Sequence, residues 1–253
     1  MAEPLYADPI PAATLVLFRR GADAPELLFV ERAAAMAFAG GALVFPGGRV
    51  DAADAALALR DMPADPHGPA RIAAIREIIE EAGIAIGLSP LPDAPTLHAV
   101  RAALHSGAPF ADILDTHGLA LNLDALVPFA RWCPRHANMR IFDTMFFIAT
   151  LPEGTPDPVV DGTENVCAFW ASAQAVLDDA DAGRATIIFP TRRNLERLAR
   201  YDDFDQAAAD ARRHGTPMIT PWVETRGDGE YLCIPDAIGY PVTAERLDNA
   251  KRA

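Results

Sequence analysis

The sequence predicts an α/β protein, and three patterns carry that prediction. Short apolar runs rich in strand formers occur at residues 14–18 (TLVLF) and 26–32 (ELLFVER), and a long aromatic one lies at 140–151 (RIFDTMFFIATL). Segments with apolar residues at three- and four-residue steps, at 70–84, 191–201 and 204–214, read as helices. The two kinds of segment alternate along 253 residues of which 51% are hydrophobic, enough for a substantial core.

In chain order, residues 21–25 form a hairpin loop between the first two strands, and Arg32 stands at the end of the second. An alanine-rich loop leads to Leu43-Val44-Phe45, a short strand broken sharply by Pro46-Gly47-Gly48. Residues 52–59 read as a short helix and 62–69 (MPADPHGP) as a turn-rich loop. Residues 84–88 are expected as a strand or turn, followed by a proline-punctuated loop. Helices are expected at 96–106 and 110–117, within a helical insertion spanning about 90–125. His98 and His105, seven apart, read as packing or surface residues, since a metal pair on a helix favours i,i+4 spacing. Strands follow at 126–132 and 140–151, the latter apolar enough for a central position. After a loop at 152–162 come a strand at 164–170, the start of a helix at 172–179, and the helices at 191–201 and 204–214. Arg226-Gly227-Asp228-Gly229 reads as a hairpin turn.

Composition excludes several classes of function. A net charge of −13 argues against nucleic acid as a partner, because a phosphate backbone needs a basic face. Every Lys or Arg position except Lys251 is arginine, the side chain best shaped for bidentate phosphate contacts. Cys133, Cys167 and Cys233 are too few and too scattered for a zinc site or a disulfide framework, and buried free thiols are expected. The amino terminus lacks the basic start and apolar run of a signal peptide. No run approaches the roughly 20 apolar residues of a membrane span. The expectation is a cytoplasmic protein that engages no membrane.

The segment 70–84 (ARIAAIREIIEEAGI) is where function concentrates. Ile72, Ile75, Ile79 and Ala82 form a buried stripe, and Gly83 supplies the left-handed stop. Glu77, Glu80 and Glu81 gather on another face at i,i+3 and i,i+4 spacing. Each like-charge i,i+4 pair costs roughly 0.2–0.5 kcal/mol. The helix dipole disfavours anions in the last turn by roughly 0.3–1 kcal/mol each. Local rules broken together point to a site, and three carboxylates on one face suit Mg²⁺ or Mn²⁺. The preceding glycines let backbone N–H groups approach an anion, as a diphosphate requires.

FPGG followed by REIIEEAGI resembles the box of the Nudix hydrolase superfamily: a glycine, five free positions, a glutamate, seven free positions, then R-E-U-x-E-E-x-G-U with U bulky and apolar. Arg76, Glu77, Ile78, Glu80, Glu81, Gly83 and Ile84 match every fixed position of the second half. The first half departs: Asp54 stands where the family has glutamate, and the gap to Arg76 is about fourteen residues too long. Residues 55–69 thus read as an excursion within one domain spanning 1–253. Residues 26–54, 126–134 (LVPFARWCP), 140–152 and 190–201 (PTRRNLERLARY) are similar to the peroxisomal-type CoA and acyl-CoA diphosphatase group, whose box also carries a long excursion.

The resemblance implies a mixed β-sheet sandwiched between helices, a divalent cation (Mg²⁺ or Mn²⁺), and hydrolysis of a diphosphate bond. CoA would give 3′,5′-ADP and a 4′-phosphopantetheine derivative. It implies Glu77, Glu80 and Glu81 as metal ligands, with Glu77 and Glu81 catalytic, and Arg76 as the group that orients the carboxylates. Asp54 is expected to link the glycine segment to the helix. Arg32, Gly47 and Gly48 are the expected contacts to a CoA-like nucleoside diphosphate derivative. Glu164 is expected as a supplementary ligand or base, against the plainer reading of an exposed strand-end carboxylate. Hydrolysis of NADH, ADP-ribose or a nucleotide sugar stays open, as do a non-catalytic nucleotide-sensing module and a homodimer.

Overall fold

The computed structural model of the chain describes residues 8–36, 39–135, 140–160, 162 and 164–250. The amino-terminal residues 1–7, on which part of the signal-peptide reading rests, and Lys251 lie outside the described residues.

β1 (Ile10–Arg19) and β2 (Glu26–Arg32) pair antiparallel only where they meet their loop, Phe18 with Leu27 and Arg19 with Glu26. Beyond that point the two strands fork. β3 (Leu43–Val44) pairs with the carboxyl-terminal end of β2, and β4 (Gly47–Arg49) pairs with the amino-terminal half of β1, so residues 43–49 fill the fork. The expectation that Pro46-Gly47-Gly48 only breaks the strand is corrected here: after the break Gly47 and Gly48 are strand residues opposite Thr14 and Ala13. A Cβ built on Gly47 would strike the Ala13 carbonyl, so only glycine lets the strands approach this closely.

α1 (Ala52–Asp61) occupies much of the excursion and packs along α2 (Gly68–Ala82). The excursion is therefore mostly helix, closed by the loop 62–67. α2 ends as expected, with Gly83 left-handed at φ 66°. β5 (Leu88–Ser89) is short, and residues 84–87 are irregular rather than strand. α3 (Ala94–His105) and α4 (Phe110–His117) then pack on the same side, before β6 (Ala120–Leu121) and a 3-10 turn at Leu123–Ala125.

β7 (Val127–Trp132), β8 (Phe142–Thr150) and β9 (Asn165–Ser172) complete the main sheet with β10 (Met218–Ile219), which follows α5 (Ala173–Asp181), α6 (Phe189–Leu198) and α7 (Phe204–His214). Its order is β10-β7-β8-β1-β2-β3, with β4 on β1 and β9 on β2. β8 runs parallel to β1 from Ile10 opposite Phe142 to Phe18 opposite Thr150, whereas β7 and β8 are antiparallel, so the sheet is mixed. β11 (Trp222–Arg226), β12 (Gly229–Cys233) and β13 (Ala244–Arg246) form a separate antiparallel sheet, followed by α8 (Leu247–Ala250).

The central strands are covered on both faces. Leu15 and Leu17 of β1, with Phe147 and Ala149 of β8, face α2, α3 and α4. Val16 and Phe18, with Phe146 and Ile148, face α5, α6 and α7. This alternation explains why β8 is apolar at every position from Met145 to Ala149. Cys133 and Cys233 are buried free thiols, whereas Cys167 is only half-buried and donates to Glu31 Oε2 at 3.4 Å. Among the described residues no helix is long and apolar enough to cross a membrane.

Candidate active site

α2 crosses under the fork and buries more than the predicted stripe. Ile72, Ile75, Ile79 and Ala82 are fully buried, and so are Ala73, Ala74 and Ile78, with Arg76 and Glu81 nearly so. The acidic side of the helix is thus not a solvated face; it is pressed against β4.

Arg76 organises that side. Its Nε and Nη2 donate to Asp54 Oδ1 and Oδ2 at 3.1 and 2.9 Å, and Nη2 also reaches the Arg49 carbonyl at 2.9 Å. Nη1 donates to Glu77 at 2.8 Å and to Glu80 at 3.3 Å. Burial works against the guanidinium charge, but the Asp54 hydrogen bonds and the charges of Glu77, Asp54 and Glu80 outweigh it and raise its pKa. Asp54, buried at the start of α1, also accepts the Asp51 N–H at 2.9 Å. The carboxylate at the family's glutamate position therefore joins the glycine strand, α1 and α2, as the sequence suggested.

The glycines serve the carboxylates. Gly47 N–H donates to Glu81 Oε2 at 2.9 Å, and a Cβ on Gly48 would collide with the Glu77 carboxylate. The Gly47 N–H expected to meet a diphosphate is engaged by Glu81 in this structure. Burial pushes Glu77 up to about 7, with Arg76 opposing and Glu80 adding to the shift. Burial and the nearby Glu77 charge push Glu81 up to about 8, against the Gly47 N–H, Asn165 and Arg32.

At the carboxyl end of α2, Arg101 Nε and Nη2 from α3 donate to the Glu80 carbonyl at 3.0 and 2.8 Å, and His105 Nε2 lies 3.2 Å from it. The helical insertion thus brings a cation to the end of a helix whose dipole and side chains are both negative. Sequence reasoning missed Arg101; the one available signal was an arginine on the predicted helix that follows α2.

Arg32, at the end of β2, sits close enough to Glu81 to favour its anion, and its Nε is buried without a hydrogen-bond partner. Glu164 does not join this constellation. It is exposed just before β9, its carbonyl accepts the Ala33 N–H at 2.8 Å, and no hydrogen bond or ion pair ties its side chain to Glu77, Glu80 or Glu81. The side chain turned into the site is that of its neighbour Asn165, which is fully buried beside Glu81.

Among the described residues no three acidic, His or Cys side chains are gathered closely enough to hold a metal ion as they stand. Glu77 and Glu80 lean on Arg76, and Glu81 leans on Gly47. The donor set nevertheless fits a hard divalent cation. Asp54, Glu77 and Glu80 surround one guanidinium and Glu81 lies beside Glu77; burial drives Glu77 and Glu81 towards neutrality, and all four offer oxygen.

A forked mixed sheet with a glutamate-rich helix crossing beneath a glycine strand defines a class of hydrolase. No family model matches the chain. A solved Nudix hydrolase from Alicyclobacillus acidocaldarius matches at 30% identity over 80% of this chain and 96% of that chain, with a TM-score of 0.70. The chain belongs to the Nudix hydrolase family. It is also similar to the acyl-coenzyme A diphosphatase NUDT19 of Gallus gallus, at 26% identity over 85% of this chain and 73% of that protein.

Proposed function

We propose that the chain is a Mg²⁺- or Mn²⁺-dependent diphosphatase acting on CoA or acyl-CoA, releasing 3′,5′-ADP and the (acyl-)4′-phosphopantetheine. The observation that carries this reading is the buried, acidic cluster of Asp54, Glu77 and Glu80 around Arg76 with Glu81 next to it, and the unpartnered Nε of Arg32 near Glu81. The similarity to an acyl-coenzyme A diphosphatase over 85% of the chain supports the choice of substrate.

Glu77, Glu80 and Glu81 would hold the cation, which when bound neutralises diphosphate oxygens and lowers the pKa of a bound water. Arg76 keeps Glu77 and Glu80 oriented while Asp54 holds Arg76 in place. Arg32 meets a diphosphate oxygen through the donor that has no partner within the protein. The sheet and β4 shield the carboxylates from bulk water, which strengthens each charge interaction there. In the reaction a water oxygen bonds to phosphorus, the bridging P–O bond breaks, and the second phosphate leaves with the bridging oxygen.

The test is hydrolysis of CoA, an acyl-CoA, NADH, ADP-ribose and a nucleotide sugar in parallel, with Mg²⁺ and with Mn²⁺. The CoA compounds should show kcat/KM at least about tenfold above the others, with 3′,5′-ADP as a product. Preferential cleavage of ADP-ribose or NADH would refute the substrate assignment. Binding without turnover of any of them would make the chain a nucleotide sensor.

A further inference from the structure

Asn165 opens β9 in register with Arg32 of β2, where the pairing of the two strands slips between Glu31 and Arg32. Its side chain is 1% exposed and stands close enough to Glu81 to favour the carboxylate anion, yet no well-formed hydrogen bond reaches Oδ1 or Nδ2. Buried side-chain polar groups are almost always bonded, so an amide empty at both ends calls for a missing partner. Opposite it, Arg32 Nε is also buried and unpartnered. Both residues lie beside Glu81, whose second bond goes to Gly47. An unused acceptor, two unused donors and a buried carboxylate thus meet at one point between β2, β9 and α2.

We propose that Asn165 is a further metal ligand of this site: its Oδ1 binds the divalent cation held by the α2 glutamates, while its Nδ2 turns towards Glu81. This rests on the reading of the site as cation-dependent. An amide next to a carboxylate presents its donors to the anion, which leaves its oxygen in need of a positive partner. Arg32 Nε, on the strand residue paired with Asn165, is not bonded to that oxygen and is the group assigned above to an incoming phosphate. A neutral oxygen also adds a ligand without adding charge. Amide carbonyls are ordinary ligands of hard divalent ions.

The experiment is direct titration of the purified chain with Mn²⁺, by calorimetry and by the electron paramagnetic resonance of free Mn²⁺. It compares the wild type with Asn165→Leu, Asn165→Asp and Glu164→Gln. Asn165→Leu should bind Mn²⁺ about tenfold or more weakly while its metal-free melting temperature does not fall, since it removes an unsatisfied amide. Asn165→Asp, which keeps an oxygen, should bind at least as tightly as the wild type. Wild-type affinity in Asn165→Leu, or a loss confined to Glu164→Gln, would overturn the proposal. Should the Leu variant fail to fold, the Asp variant decides alone, and weaker binding than wild type overturns it. Absence of Mn²⁺ binding by the wild type would overturn the cation-dependent reading as well. Wild-type binding with an unaffected Leu variant overturns only the role of Asn165.

Discussion

Arg76 grips Asp54 through two parallel hydrogen bonds, Nε to Oδ1 at 3.1 Å and Nη2 to Oδ2 at 2.9 Å. The bonded pair closes the long excursion at its base. The chain leaves at Asp54, runs through α1 and the loop 62–67, and returns along α2 to the residue that holds its starting point. An insertion inside a catalytic motif is tolerated when its two ends remain tied, because closing a longer loop adds little entropy cost.

Asp54→Ala should therefore act on stability more than on chemistry. It leaves Arg76 buried with fewer partners, and a loss of about 2–4 kcal/mol is expected, the lower part of the range because Glu77 and Glu80 remain. Urea unfolding and kcat in saturating metal test this together. A turnover loss as deep as that of a glutamate variant of α2, with unfolding unchanged, would contradict it.

Glu81→Gln should fold at least as stably as the wild type without metal. Its environment already pushes the carboxyl up to about 8, and a neutral amide can still accept the Gly47 N–H. Turnover should drop by about 10²-fold or more, the scale seen when one electrostatic catalytic group is removed. Near-normal turnover in a destabilised variant would make Glu81 a structural residue.

The metal-free protein should lose stability as the pH rises. Glu77 and Glu81 have folded-state values of about 7 and 8, above the roughly 4.3 of a free glutamate. The folded state thus binds more protons, so this contribution is fully present below about pH 4 and disappears as the pH passes through 7 and 8. Melting temperature measured from pH 5 to pH 9 should fall in chelator and fall less in saturating Mg²⁺, which binds only the folded chain. A flat chelator profile would mean that the two carboxyls are not perturbed.

Gly48→Ala introduces a methyl group against the Glu77 carboxylate. Displacing that carboxylate should weaken Mn²⁺ binding by about tenfold, in line with losses on disturbing a ligand's support. Unchanged Mn²⁺ affinity in a titration would show that Glu77 has room to give way.

Arg101→Ala removes both donors to the Glu80 carbonyl and leaves His105 alone at the end of α2. A stability loss of about 1–2 kcal/mol is expected from a charged hydrogen bond at a helix terminus, with Lys restoring part of it. Thermal unfolding of both variants checks this, and identical melting of Ala and wild type would refute it.

Residue pattern alone determined a large part of this protein. The spacing of Ile72, Ile75, Ile79 and Ala82, with Gly83 after them, fixed a helix and its stop, because helical periodicity and left-handed glycine are local properties. The strands at 14–18, 26–32 and 140–151 were legible for the same reason, and REIIEEAGI marked the acidic helix. What only the tertiary structure decided were the partners that lie far apart in sequence. Gly47 and Gly48 read as a turn because glycine favours turns, yet the closeness of Ala13 and Glu77 makes them strand residues. The 191–201 pattern reads as amphipathic, yet Arg193 and Arg197 are buried, Arg197 between Asp210 and the rings of Phe129 and Tyr240. Asn165 is buried because the irregular pairing of β9 with β2 sets it opposite Arg32, whereas Glu164 just before the strand is exposed. Strand register is a long-range property: a shift of one residue reverses every side chain, and no local pattern records which way the shift falls.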